Sequence, residues 1–201
     1  MLHQWAFFVS LIAGAVLVIV APEGRATFAT AIYALTVAGL FGVSAVYHRV
    51  DWASAKARAW MRRLDHSMIF LLIAGTYTPF ALLALHGTVA TTILFVVWGG
   101  AIGGILLNLV WIDAPKWVTA IVYLALGWVA VIAFPALFDS LGVTATLLVA
   151  AGGVLYTIGA VVYAMRRPDP APTVFGYHEI FHALVIAAAA LQYSAIAFFV
   201  L

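Results

Sequence analysis

The sequence predicts an all-α integral membrane protein, a bundle of seven transmembrane helices, and three observations lead to this fold class. Of the 201 residues, 67% are hydrophobic and 8% are charged, whereas about 25% of residues are charged in soluble domains. The mean hydropathy is +1.16. Seven apolar runs follow one another, each near the roughly 20 residues that a helix needs to cross a bilayer. Residues 1–201 are therefore predicted to form a single transmembrane domain.

The seven runs are bounded by turn residues and charges. In chain order, the predicted helices cover about 5–20, 27–47, 65–85, 88–107, 116–137, 141–165 and 177–201. The breaks between them lie at 21–24, 49–63, 86–87, 108–115, 139 and 166–170, where Pro, Gly or charged residues interrupt the apolar pattern. Membrane strands are excluded, because each run is longer than about 10 residues and lacks polar–apolar alternation.

The distribution of Lys and Arg predicts the orientation. With seven spans, one face receives the N-terminus and the loops after helices 2, 4 and 6. That face carries Arg49, Lys56, Arg58, Arg62, Arg63, Lys116, Arg166 and Arg167. The opposite face carries Arg25 alone. The positive-inside rule therefore predicts a cytoplasmic N-terminus and an outside C-terminus, and the asymmetry favours an odd number of spans.

A few ionisable residues lie within or beside the apolar runs, where such residues are costly and usually functional. Ser44 and His48 are four positions apart near the end of helix 2, so they share a helix face. His178 and His182 have the same spacing at the start of helix 7, and Asp65 opens helix 3. The predicted topology puts four of these residues in one layer near the cytoplasmic boundary: His48, Asp65, His178 and His182.

Three imidazoles beside a carboxylate indicate a zinc site. Three protein ligands leave the fourth tetrahedral position open, as in catalytic zinc sites. The sequence thus nominates His48, His178 and His182 as metal ligands, Asp65 as the general base and Ser44 as a hydrogen-bond donor to an oxyanion. Thiolate ligands are excluded, because the chain has no cysteine. The alternative is that these are helix-end polar residues satisfied by hydrogen bonds or headgroups.

The other histidines receive no part in this site. His3 and His86 fall at a terminus and in a loop, and no role is assigned to either. On a helix, His66 faces about 100° away from Asp65, so it is interpreted as a packing or surface residue.

Three other interpretations agree less well with the sequence. The segment from His178 through Glu179 to His182 fits the H-E-x-x-H pattern of metalloproteases, but that reading leaves His48 and Asp65 without a role. A transporter would need polar residues along a whole transmembrane path, whereas the polar residues here cluster at one membrane face. The basic stretch 49–63 is interpreted as an interfacial segment that meets anionic headgroups, not as a nucleic-acid site.

Four segments together resemble the haemolysin III family, which belongs to the progestin and adiponectin receptor superfamily and is related to alkaline ceramidases. They are Ser44-Ala45-Val46-Tyr47-His48-Arg49, Arg63-Leu64-Asp65-His66-Ser67, Ile73-Ala74-Gly75-Thr76-Tyr77-Thr78-Pro79 and Gly176-Tyr177-His178-Glu179-Ile180-Phe181-His182. The resemblance implies seven helices, a cytoplasmic N-terminus, and zinc held by His48, His178 and His182. It also implies that Asp65 contacts the water on the zinc and that Ser44 lies beside the site.

The wider superfamily implies hydrolysis of lipid amides. We therefore expect a zinc-dependent hydrolase of a lipid amide or ester in the bacterial inner (plasma) membrane, with a membrane lipid as substrate or ligand. The alternative is a non-enzymatic sensor or regulator of membrane lipids, in which the zinc is structural.

Overall fold

The computed structural model describes residues 2–111 and 113–201, and most of them are helical. The helices are α1 (Leu2–Val20), α2 (Arg25–Arg49), α3 (Ala55–Pro79), α4 (Gly87–Val110), α5 (Lys116–Gly127), α6 (Ala130–Met165) and α7 (Tyr177–Ala195). Helices α3 and α7 continue into π-helical turns, Phe80–Ala84 and Ile196–Val200. Within the described residues, the sole β pairing is an isolated bridge between Ala171 and Phe175. The all-α prediction is confirmed.

The helices are long and apolar enough to cross a membrane. Among the described residues, six stretches qualify: Leu2–Val20, Arg25–Arg49, Ala55–Ala84, Gly87–Val110, Lys116–Met165 and Tyr177–Val200. Large apolar side chains point outward, with Ile19, Phe95 and Ile132 each at least 74% exposed. Lipid can cover such a surface, and the chain is a multi-pass membrane protein. The sequence predicted seven spans; the fifth stretch contains the predicted fifth and sixth together.

Helix α3 begins ten residues earlier than predicted. Ser54 caps it, since its hydroxyl accepts a hydrogen bond from the Ala57 N–H at 3.1 Å. The first turns of α3 are rich in Ala, Lys and Arg and form helix without being apolar, so hydropathy did not reveal them. Asp65 therefore lies inside α3 and does not open it.

The predicted fifth helix also contains an unexpected break. Helix α5 ends at Gly127, and α6 resumes at Ala130. The Tyr77 hydroxyl of α3 bridges the break: it donates to the Gly127 carbonyl and accepts from the Ala130 N–H at 2.6 Å. A second interruption at Gly142 (φ 79°, ψ 179°) divides α6 into two helical arms and lies close to the predicted break at 139.

Helix α3 packs between α2 and α4, and α7 packs between α1 and α6. Phe70 of α3 is 1% exposed and fits against Gly104 of α4, which has no side chain to exclude the ring. Helices α1 and α7 run in parallel, because His3 stacks on His182 while the Tyr193 hydroxyl donates to the Ala13 carbonyl. This packing brings the starts of α1 and α7 to one end of the molecule.

Candidate metal centre and adjoining cavity

Three histidines meet where α2 ends and α7 begins. His48 lies in the last turn of α2, and His178 and His182 lie on one face of the first turns of α7. One ring nitrogen from each residue lies within 4.8 Å of the others. The Nε2 atoms of His48 and His178 are 3.2 Å apart. His182 is buried, His178 is half-buried and His48 is exposed.

This arrangement fits a metal ion. Imidazole nitrogens at about 2.0–2.1 Å from a tetrahedral zinc are about 3.3 Å from one another. The observed separation of 3.2 Å between His48 Nε2 and His178 Nε2 is close to that value. Three nitrogen donors leave one coordination position open. The three histidines that the sequence nominated can thus hold a metal ion together.

Asp65 and Ser44 line one cavity with His178 and His182. The Asp65 side chain is 15% exposed, and its carboxylate lies 3.4 Å from Nδ1 of His66. Nε2 of His66 lies 3.2 Å from the Tyr163 hydroxyl. Against the expectation that it faces away, His66 lines the cavity beside Asp65. The reason is that the cavity covers a broad face of α3, wider than the 100° that separates neighbouring residues.

His3, to which the sequence assigned no role, lies in this cluster. It is 6% exposed, and its Nδ1 is 2.8 Å from the Ser44 hydroxyl oxygen. Its ring stacks on His182, with centroids 3.7 Å apart and planes inclined by 20°. The predicted topology already put the N-terminus in the same layer as His48 and His182, and that signal could have revealed it. His86, by contrast, is exposed before α4.

Glu179 serves as a helix cap. Its carboxylate accepts a hydrogen bond from the Gly176 N–H at 3.0 Å, at the start of α7. In the metalloprotease pattern this glutamate is the general base beside the metal. Here the carboxylate is engaged by the backbone that precedes His178.

The cavity extends from the histidines along α3. Its wall includes residues of α3 and the following π-helical turn from Asp65 to Leu85, and this distance along a helix is roughly 30 Å. Apolar side chains dominate the wall, among them Leu72, Phe80, Leu137 and Val149. The cavity is therefore predominantly apolar, with a polar end at His178, His182 and Asp65.

Comparison with known proteins agrees with the sequence resemblance. The family described as "Haemolysin-III related" matches residues 1–193. Hemolysin-3 of Bacillus cereus is 31% identical over 192 residues, which cover 93% of this chain and 84% of that protein. The Hemolysin-3 homolog of Bacillus subtilis (strain 168) is 34% identical, over 72% of this chain and 65% of that protein.

A human protein is similar as well. The monocyte to macrophage differentiation factor of Homo sapiens is 28% identical over 168 residues, which cover 82% of this chain and 67% of that protein. The family match extends over nearly the whole chain and includes every residue nominated for the metal site. The chain therefore belongs to the haemolysin-III-related family.

Proposed function

We propose that the chain is a zinc-dependent hydrolase of a lipid amide or ester in the bacterial plasma membrane. One observation carries the proposal: three imidazole nitrogens lie within 4.8 Å of one another, and two of these histidines, His178 and His182, line the polar end of an apolar cavity. The Asp65 carboxylate lines the same cavity. A metal, a base and an acyl-chain channel are the parts that hydrolysis of a membrane lipid requires.

His48, His178 and His182 would hold the ion. When bound, zinc polarises a carbonyl group and lowers the pKa of water to about 7. The stack of His3 on His182 and the packing of α7 against α1 support the orientation of the His182 ring.

Asp65 is suited to the role of general base. Its carboxylate is mostly buried and has His66 as a neighbour, and His66 is in turn hydrogen-bonded to Tyr163. This chain of contacts holds the carboxylate at the cavity while it takes a proton from the attacking water.

Ser44 is suited to stabilise a developing oxyanion. Its hydroxyl oxygen lies 2.8 Å from Nδ1 of His3. When His3 carries its proton on Nδ1, that nitrogen donates to Ser44, and the serine proton is then free to donate to the substrate oxygen.

We also propose seven spans. The stretch Lys116–Met165 has 50 residues, which as one straight helix would measure roughly 75 Å, against a hydrocarbon core of about 30 Å. Its two ends approach each other, since Lys116 Nζ lies 4.3 Å from the Tyr163 ring centroid. The interruption at Gly142 supplies a reversal point. A stretch that crosses twice also agrees with the parallel course of α1 and α7.

The proposed orientation puts the metal site on the cytoplasmic side. Eight of the nine Lys and Arg residues then lie at the cytoplasmic face, and Arg25 lies outside. This distribution is typical of cytoplasmic loops, so the N-terminus would be inside and the C-terminus outside.

The test is turnover by purified, zinc-loaded protein on a panel of lipid amides and esters, compared with Asp65→Asn. We expect turnover by the native protein and a loss of about 10²–10⁴-fold in Asp65→Asn, because general-base catalysis supplies that factor. Zinc content and fold should be unchanged in the variant. Asp139→Asn is the matched control at an exposed position. Fully zinc-loaded protein that turns over no lipid in the panel would contradict the proposal.

A membrane-lipid sensor or regulator with structural zinc is the second candidate. The observation that favours it is the contact between His48 at the end of α2 and His178 at the start of α7, which are 130 positions apart. A metal bound there would also cross-link these two helices and stabilise the bundle. This candidate predicts that Asp65→Ala leaves the physiological phenotype intact while His182→Ala unfolds the protein. The hydrolase predicts that Asp65→Ala retains zinc and fold but loses activity.

A further inference from the structure

Two polar groups lie in the apolar part of the cavity, away from the histidines. Gln192 of α7 is 5% exposed, and its amide nitrogen donates to the Val149 carbonyl at 3.1 Å. The amide oxygen of Gln192 and the hydroxyl of Tyr156 are both buried, and neither has a hydrogen-bond partner within residues 2–111 and 113–201. Both residues line the cavity.

The orientation of the Gln192 amide is fixed by chemistry. The Val149 carbonyl can only accept a hydrogen bond, so the NH₂ group must face it and the oxygen must point elsewhere. Other hydroxyls on the cavity wall are satisfied: Thr76 donates to the Leu72 carbonyl, and Thr157 donates to the Gly153 carbonyl. Buried polar groups without partners are uncommon, so two of them in the lining of one cavity point to a ligand.

The depth of this pair can be measured along the helices. Gln192 lies ten residues beyond His182 on α7, which is about 15 Å. Tyr156 lies seven residues before Tyr163, whose ring centroid is 6.0 Å from that of His178, and seven residues of helix span about 10 Å. An extended chain advances about 1.2 Å per bond. The pair therefore lies about eight to twelve bonds from the histidine end of an extended acyl chain.

We propose that the cavity binds a lipid whose acyl chain carries a hydroxyl group near its middle. The ligand hydroxyl would donate to the Gln192 amide oxygen and accept from the Tyr156 hydroxyl. The Gln192 amide packs against Gly152, which lies one turn before Tyr156 on α6. A hydroxyl is both donor and acceptor, so one hydroxyl between these two side chains would serve both. The inference rests on the acyl-chain cavity of the proposed function, but it does not depend on hydrolysis.

The experiment measures binding, not turnover. Purified full-length protein in detergent is loaded with a fluorescent fatty acid, which is then displaced by three competitors. These are octadecanoic acid, its mid-chain hydroxyl derivative, and the derivative hydroxylated next to the carboxyl group. We expect the mid-chain derivative to bind about tenfold more tightly than the other two acids, the size expected for the added hydrogen bonds.

Two variants test the residues named. Tyr156→Phe removes only the hydroxyl, and Gln192→Leu removes the amide. Each should reduce the preference for the mid-chain derivative over octadecanoic acid, measured in the same variant, to about threefold or less. Tyr193→Phe is the matched control, because that hydroxyl is bonded to the Ala13 carbonyl and Tyr193 is not part of the cavity wall. It should keep the full preference.

The outcomes separate this inference from the proposed function. Equal binding of the three acids by the native protein, as expected if only water meets the two groups, overturns the subsite and leaves the acyl-chain cavity standing. A preference that survives in both variants also overturns it. If no acid displaces the probe, both the proposed hydroxyl subsite and the proposed acyl-chain cavity are overturned. If the native protein prefers the mid-chain hydroxyl derivative but turns over no lipid, only the proposed hydrolase activity is overturned.

Discussion

At the scale of single residues, the cluster of His48, His178 and His182 was predictable from the sequence, and the neighbouring His3 was not. His178 and His182 are four positions apart, a spacing that puts both on one face of a helix, and Ser44 and His48 have the same spacing. His3 contacts Ser44 across 41 positions, and no local spacing records that contact. The stack on His182 makes His3 part of the support for a proposed zinc ligand.

Replacement of His3 should therefore weaken metal binding. We expect His3→Ala to lower zinc affinity about tenfold, because groups that orient a ligand typically contribute that much. His3→Phe keeps a ring against His182 but loses the bond to Ser44, so it should retain more affinity. Chelator competition on the purified proteins measures both. His86→Ala, at an exposed histidine, is the control. Equal affinities in native protein and His3→Ala would show that the stack is irrelevant to the metal.

At the scale of elements, hydropathy located the helices but misplaced two of their boundaries. The first turns of α3 are basic and amphipathic, so the apolar signal began only at Asp65. The interruption at Trp128 lies within an apolar run, and it depends on the Tyr77 hydroxyl of another helix. A contact between residues this far apart in the chain cannot be predicted from the local sequence around either residue. The Gly142 interruption, which lies near a charge and a glycine, was predicted to within a few residues.

The start of α7 yields a prediction about Glu179. Glu179→Ala removes the carboxylate that caps the Gly176 N–H, and the loss should lower the free energy of unfolding by about 1 kcal/mol. Zinc content and turnover should be unchanged. Glu179→Gln is the control, since an amide oxygen can still accept that hydrogen bond. Thermal unfolding in detergent, with metal analysis, measures these effects. Complete loss of turnover in the stably folded Gln variant would revive the metalloprotease interpretation.

At the scale of the whole molecule, the site and the topology depend on each other. His48 ends α2 and His178 begins α7, so an even number of crossings must lie between them if both are to meet at one membrane face. The stretch Lys116–Met165 decides this parity. The charge distribution in the sequence predicted that this stretch crosses the membrane twice, because Lys116 and Arg166 were assigned to the same basic face.

Cysteine labelling tests the topology without background, because the native chain has no cysteine. We expect Asp139→Cys to react with a membrane-impermeant maleimide added outside intact cells, since it lies near the proposed reversal at Gly142. Ala171→Cys, in the loop before α7, should react only after permeabilisation. Labelling of both positions from the same side would contradict the seven-span arrangement.

The most direct test of the proposed zinc site is the metal content of the purified protein. We expect one zinc ion per chain in the native protein and in His86→Ala, and loss of that zinc in His48→Ala, His178→Ala and His182→Ala. Circular dichroism should accompany the metal analysis to show that each variant remains helical. A folded native protein that binds no metal after incubation with zinc, or three histidine variants that retain full zinc, would show that these histidines do not form a zinc site.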